Sequence, residues 1–305
     1  VTRENQWVER YFDQVADYYD DLQADTADLP LLPADRCLGG LMTDGPRKVM
    51  DLGCGTGRLT LKLADAGHRI SAIDVSGRMI EACRARLANA GRDEELAWKA
   101  DVSDPNVLAA AAYDAVFAID LFDYLGLGMV EFLDICFRTL RPGGKLIASF
   151  GNGLLPLFSL DRSTSDFFRD HIFERVPFVD EDTRVAVTQT AKGLLRCADD
   201  PPKDHSGAQG YEADKQAGVA RLVHSDLPRQ SINPLTLADV LARAGFKALD
   251  QQFYGYLAVP PGLRNAFPRA NDEAARQMES HWEKDWRGTF MAQRLFLVME
   301  KIGHG

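Results

Sequence analysis

The sequence predicts an α/β fold in which a mostly parallel sheet carries helices on both faces. Three observations predict it. Val49-Met50-Asp51-Leu52 is a short apolar run that enters Gly53-Cys54-Gly55-Thr56-Gly57, a strand running into a glycine-rich turn and then a helix. Ile70-Ser71-Ala72-Ile73 is a second apolar run, and it ends in Asp74 about twenty residues after the turn. Short apolar runs then alternate with amphipathic segments as far as Phe150, the pattern of parallel strands joined by helical crossovers.

The 305 residues suffice for one large domain or two smaller ones. Residues 1–40 read as an N-terminal helical cap, with Trp7, Val8, Tyr11, Phe12, Val15, Tyr18 and Tyr19 at helical spacing. Residues 41–150 carry the turn and its sheet. Arg58 to Ala66 reads as a helix with Leu59, Leu63 and Ala66 on one face. Ser76 caps the next helix, whose buried stripe is Met79, Ile80, Cys83 and Leu87. Ala115 to Ile119 and Leu146 to Phe150 fit central parallel strands.

Residues 151–232 lose the alternation and read as an inserted antiparallel cap. Val185 to Thr190 and Ala220 to His224 are strand-like, separated by the turn-rich stretch Asp199 to Gly207. Residues 233–305 complete the core. Thr236 and Asp239 have capping-box spacing. Leu237, Val240, Leu241 and Ala244 make a buried helical face, and Gly245 ends it. Ala248 to Tyr256 and Arg294 to Lys301 read as the last two strands.

A glycine-rich turn lets backbone N–H groups approach a ligand that any Cβ would repel. A second-strand carboxylate at this distance is placed to accept hydrogen bonds from ribose hydroxyls. The unit therefore predicts a nucleoside-containing ligand. A dinucleotide fingerprint would need glycine where Arg58 stands, and no Gly-Lys-Ser/Thr follows as a phosphate-binding loop requires.

The net charge of -10, with no run rich in Lys and Arg, argues against a nucleic-acid partner. No apolar stretch approaches the length of a membrane span, and the opening VTRENQWVERYF lacks a signal-like apolar segment, so a cytoplasmic location is expected. Five cysteines (Cys37, Cys54, Cys83, Cys136 and Cys197) without a C-x-x-C pair predict free thiols, three of them in core elements. Cys54 is read as a small residue tolerated by the turn rather than a nucleophile.

At these residues the chain resembles the class I S-adenosylmethionine-dependent methyltransferases that act on small molecules. Val49 to Gly57 is similar to their first motif and Asp74 to their second-strand acid. Ala100-Asp101-Val102 looks like the adenine-contacting strand end, and Leu140 to Leu146 like the turn before the fifth strand. Tyr11 to Asp20 resembles an opening segment that in relatives folds over the cofactor. The resemblance implies a Rossmann-like sheet of seven strands with an antiparallel last strand, S-adenosyl-L-methionine as cofactor, and a small-molecule acceptor methylated on oxygen or nitrogen.

It also implies a cofactor surface. Asp51 would serve the methionine end, and Gly53, Cys54, Gly55 and Gly57 would supply backbone. Asp74 would bind the ribose diol, Val75 would flank the adenine, and Asp101 with Val102 would meet its amino edge. Asp120 would lie beside the methionine moiety, with Tyr19, Met79 and Leu121 completing the surface. For each acid the competing reading is a helix cap or a surface charge.

The acceptor should lie beyond the carboxyl ends of the strands, where Leu121 to Leu125 and Asn152 are placed. Asp123 and Tyr124 are candidates to touch the substrate or the reacting methyl, with Tyr124 equally readable as core. A general base would most naturally be histidine. His171 and His224 are the candidates, with Tyr124 beside them; His205 is a third histidine, and His68, His281 and His304 read as peripheral. No metal-ligand spacing emerges. Tyr18, Tyr19, Phe158, Phe167, Phe168, Phe173, Phe253, Tyr254 and Tyr256 could line an apolar acceptor pocket or simply form core. Trp282 and Trp286, four apart, suit packing or a homodimer contact. The competing function is an enzyme of the same fold that transforms S-adenosylmethionine without methyl transfer, for example by intramolecular cyclisation releasing methylthioadenosine.

Overall fold

The computed structural model describes residues 3–22, 38, 47–160, 162–168, 170, 180–183, 185–186, 189–190, 230–258, 260, 277–278, 281 and 284–302. Seven strands form one sheet: β1 (Lys48–Leu52), β2 (Arg69–Asp74), β3 (Ala97–Lys99), β4 (Tyr113–Ala118), β5 (Leu140–Gly151), β6 (Phe246–Tyr256) and β7 (Ala292–Lys301). Their order is β3-β2-β1-β4-β5-β7-β6. Strands β1 to β5 are parallel, with Val49 opposite both Ile70 and Ala115, and Phe117 opposite Ile147. Strand β7 runs antiparallel to β6: Leu257 N–H donates to Met291 O and Ile302 N–H to Gly245 O, so one strand rises as the other falls.

Burial explains the composition of the strands. All of β4 is buried, as a strand covered on both faces must be. Its one acid, Asp114, is retained because Lys48 N–H donates to it at 2.7 Å and Arg141 pairs with it. The Leu140–Lys145 segment bulges out of β5: Tyr113 faces Leu140, yet Ala115 already faces Lys145. The turn expected before the fifth strand is thus built into the strand's start.

Helices Arg3–Val15 (α1), Tyr19–Leu22 (α2), Arg58–Asp65 (α3), Gly77–Asn89 (α4) and Met129–Thr139 (α5) belong to the same unit, residues 1–151, 209–252 and 295–305. Helix α4 buries Met79, Ile80, Cys83 and Leu87, as its pattern predicts. Ser76 caps it, accepting Met79 N–H at 3.1 Å. The Ser76 hydroxyl also donates to Asp13 of α1 at 2.6 Å. Acids at helical spacing on the N-terminal segment fasten it to the core. Glu9 pairs with Lys99, Asp13 takes Arg78 N–H, Asp17 pairs with the Arg78 guanidinium, and Asp20 pairs with Arg86 and accepts the Thr56 hydroxyl. Val8, Tyr11, Val15 and Ala16 bury against Met79, whereas Trp7, expected in the same stripe, is 45 % exposed. Ser76→Ala removes a cap and an interhelical tie, and is expected to cost about 2 kcal/mol, read as a lower urea midpoint at unchanged m.

Two local expectations are corrected. The strand expected over Val185 to Thr190 is not found at its described residues: Val185, Ala186, Gln189 and Thr190 are helical, and the Thr190 hydroxyl donates back to Ala186 O at 2.8 Å. Such back-bonding lets a polar β-branched residue sit in a helix. Thr236 does not form a capping box. It precedes helix α6 (Leu237–Arg243) in helical conformation with no cap bond, and its hydroxyl is drawn to Asn233 O. Gly245, at φ +79, does end that helix.

The second unit comprises residues 152–208 and 253–294. Asn152 is its hub. The side-chain amide donates to Gly288 O, Thr289 O and Ala292 O, and Oδ1 accepts Leu154 N–H. This buried, satisfied residue has a structural role rather than the acceptor contact expected of it. Phe253, Tyr254 and Tyr256 are buried core of this unit. Trp286 is 71 % exposed and stacks edge-on with Phe290.

Candidate cofactor and acceptor pocket

The strand order reverses between β1 and β4, and a pocket opens there beyond the carboxyl ends of β1, β2 and β4. Such a switch point is where open α/β sheets bind ligands. The chain has to part at this point: β2 and β3 lie to one side of β1, β4 and β5 to the other. The pocket is lined by Gly53, Gly55, Ile73, Asp74, Val75, Met79, Ala100, Asp101, Val102, Ile119, Asp120, Leu121, Tyr124 and Leu125, with Val8, Phe12 and Tyr19 from the N-terminal helices.

The turn after β1 is held by its neighbours. Gly53 N–H and Cys54 N–H donate to Ile73 O, and Gly55 N–H donates to Asp74 Oδ2 at 2.9 Å. These amides serve the protein itself, so the turn offers a ligand close approach rather than those three donors. Gly55 has φ +53, and a Cβ built there meets nothing within 4 Å. The turn therefore presents bare backbone to open pocket.

Asp74 accepts Gly55 N–H on one oxygen and Ser76 N–H on the other, at 2.9 Å each. Each oxygen keeps a further lone pair, which suits a vicinal diol. Burial raises its pKa to about 6 against those amide bonds. Asp101 accepts the Ser103 N–H and hydroxyl, which fixes the chain as it leaves β3. Asp120 has φ +54, a conformation rare for residues other than glycine and concentrated at functional sites. Phe12 stands edge-on to both Tyr124 (5.4 Å between centroids) and Tyr19 (6.1 Å). Burial, with Tyr124 and the carboxylates of Asp120 and Asp74 nearby, lifts the Tyr19 phenol well above its ordinary range. Tyr19 is thus a neutral hydrogen-bonding group and not a base.

The structure brings together Tyr19, Gly53, Gly55, Asp74, Val75, Met79, Asp101, Val102, Asp120, Leu121 and Tyr124 of the sequence candidates. Asp51 and Cys54 are not in the lining. Asp51 lies under the turn, 2 % exposed, accepting the Thr60 hydroxyl at 2.7 Å; burial raises its pKa to about 7, with the Asp74 charge adding to the effect. Cys54 is buried, and the neighbouring Cys83 thiol together with desolvation pushes its pKa up, so it stays a protonated thiol. Asp123 is also displaced from the acceptor role: it is 8 % exposed and its carboxylate accepts Gly151 N–H at 3.0 Å. His171, His205 and His224 lie outside the described residues. Val8, Phe12, Ile73, Ala100, Ile119 and Leu125 join the lining. The helical stripe signalled Val8 and Phe12, whereas the other four are apolar strand ends and loop residues indistinguishable from core by pattern.

Two pH effects follow with opposite sign. A ribose diol is bound by an ionised Asp74, so binding of an adenosine ligand should weaken about tenfold per unit as pH falls below about 6. Asp74→Asn should flatten that profile in calorimetric titrations. Asp51 is protonated more readily in the fold than its ordinary 3.8 would allow. Its contribution to stability is full below 3.8 and is lost as pH rises through about 7. Denaturation midpoints of the ligand-free protein across that window check this, and Asp51→Asn removes the dependence.

Residues 50–146 match a family model described as a methyltransferase domain. Over 112 residues the chain is 31% identical to a ubiquinone biosynthesis O-methyltransferase of Methylocella silvestris, covering 37% of this chain and 43% of that protein. Over 113 residues it is 26% identical to an S-adenosyl-L-methionine-dependent Diels-Alderase of Talaromyces variabilis, covering 36% of this chain and 38% of that one. These matches span less than half the length of the curated relatives. Among solved structures, 1,6-didemethyltoxoflavin-N1-methyltransferase of Burkholderia thailandensis, with bound 1,6-didemethyltoxoflavin and S-adenosylhomocysteine, superposes with a TM-score of 0.51 at 16% identity. That likeness covers 99% of this chain and 92% of the other, and it concerns the fold.

Proposed function

We propose that this chain, whose residues 50–146 match a methyltransferase-domain family model, is a class I S-adenosylmethionine-dependent enzyme that methylates a small-molecule acceptor on oxygen or nitrogen. The observation that carries this is the pocket at the strand reversal, which gathers the glycine turn, Asp74, Asp101, Asp120 and Tyr124 in one cleft. The donor set fits the cofactor. Gly53 and Gly55 admit close approach, Asp74 suits the ribose diol, Val75, Met79 and Val102 give the adenine apolar flanks with Asp101 at its edge, and Asp120 stands toward the methionine end. When bound, the cofactor supplies an activated methyl for in-line displacement. The chain's own work is then alignment and exclusion of water. Val8 and Phe12 close the apolar side, and Tyr124 lies where the acceptor would enter. Oxygen is favoured as the acceptor atom because the curated relatives over this segment include O-methyltransferases.

Incubation with S-adenosylmethionine and a panel of phenols, catechols and amines tests the reading by mass spectrometry. An acceptor heavier by one methylene, with an equal amount of S-adenosylhomocysteine, is the expected result. A second reading, use of the cofactor without methyl transfer, is favoured by the match to the fungal Diels-Alderase. Methylthioadenosine released without any acceptor, or an acceptor rearranged without gain of mass, would establish it in place of the first.

A further inference from the structure

We propose that Ser149 is a positioning residue of this pocket, acting through Asp120 to set the charge that meets the amino-acid end of the cofactor. The inference rests on the cofactor reading above. Strand β5 outruns β4: Ala118 still pairs with Ala148, and then β4 ends while β5 continues to Gly151. The overhang is used to anchor the chain leaving β4. Ser149, fully buried, accepts Asp120 N–H at 2.7 Å and donates its hydroxyl to Asp120 Oδ1 at 2.7 Å. The same hydroxyl thus grips the backbone and the carboxylate of one residue. Two residues on, Gly151 N–H donates to Asp123 Oδ1.

That grip has a physical purpose. Asp120 sits at φ +54, a conformation an L-residue keeps only where its surroundings hold it. Without the serine hydroxyl, Asp120 would be released to a commoner backbone conformation and its carboxylate would swing. The lining of the pocket among described residues includes Asp74, Asp101 and Asp120 and no Lys, Arg or His. A carboxylate fixed at this wall favours a cationic group, as the ammonium of the cofactor's amino-acid end is. Ser149 itself is not in the lining, so its effect is indirect.

The test compares two ligands by calorimetry. S-adenosylhomocysteine carries the amino-acid end, whereas 5′-methylthioadenosine keeps the nucleoside and the thioether without it. Ser149→Ala is expected to weaken S-adenosylhomocysteine about tenfold, the scale of a lost hydrogen bond to a charged group, and to leave methylthioadenosine within about twofold. Ser149→Cys keeps the side chain's shape while weakening both bonds, and it should give the same selective loss if the alanine variant does not fold. Asp120→Asn should give a similar loss, and the double variant should be no worse than either single one. Equal weakening of both ligands, unchanged S-adenosylhomocysteine affinity, or additive losses in the double variant would overturn the inference. Wild-type protein that binds neither ligand would instead overturn the cofactor reading, and this inference with it.

Discussion

Asp74→Ala should weaken S-adenosylhomocysteine binding by about a hundredfold or more. The side chain has two tasks, and both are lost together. It accepts Gly55 N–H and Ser76 N–H, which hold the glycine turn to the start of α4. Its remaining lone pairs are those offered to the ribose diol. A hydrogen bond to a charged acceptor contributes roughly 1.5–3 kcal/mol, so two ribose bonds set the expected scale even before the turn loosens. Asp74→Asn keeps one acceptor oxygen and should fall between the two. Calorimetric titration measures this directly, and undiminished affinity in the alanine variant would remove Asp74 from the site.

Gly57→Ala should destabilise the protein by about 3 kcal/mol, while Gly55→Ala should cost only about 1–2 kcal/mol of stability and abolish binding. The two glycines lie in one turn, both with positive φ, yet face different surroundings. A Cβ at Gly57 would stand 2.5 Å from Cys83 Sγ and 3.1 Å from Cys83 Cα, so helix α4 would have to move. The backbone penalty of roughly 1–2 kcal/mol adds to an overpacking cost of similar size. At Gly55 only the backbone penalty applies, since a Cβ there enters open space. That space is the pocket, so the methyl occupies the path a ligand would take. Urea midpoints separate the first variant from wild type, and titration with S-adenosylhomocysteine separates the second. A Gly57→Ala protein of wild-type stability would contradict the packing of the turn on α4.

The contrast shows which parts of the site were legible in the sequence. Glycines, the second-strand acid and the cap at Ser76 are local signals with local causes, and the structure places them as the spacing predicts. The alternation that predicted a parallel sheet worked because β1 and β4 are buried on both faces and can be little but apolar. Asp51 shows the limit. Its position beside the motif suggested a ligand contact, but strand alternation turns it under the turn to Thr60. Asp123 and Asn152 were placed correctly at the sheet's rim, yet their side chains satisfy backbone groups whose position depends on distant segments. Asn152 takes carbonyls from Gly288, Thr289 and Ala292, more than 130 residues away. Gln230 is a similar case. Its side chain donates to the carbonyls of Phe122, Leu125 and Leu127 and so shapes the loop that carries Tyr124. No periodicity marks such a residue. The helical conformation of Val185, Ala186, Gln189 and Thr190 is illegible for a different reason: a β-branched, alternating hexapeptide fits either state, and the back-bond by which Thr190 satisfies its hydroxyl within a helix has no signature in the sequence.

Every expectation about binding depends on the pocket at the strand reversal holding S-adenosylmethionine through its nucleoside. Titration of the purified chain with S-adenosylhomocysteine, repeated with methylthioadenosine as competitor, tests it most directly. One site per chain is expected, with competition between the two ligands and affinity that falls as pH drops below about 6. Absence of heat with either ligand at pH 7, or binding indifferent to methylthioadenosine, would contradict it.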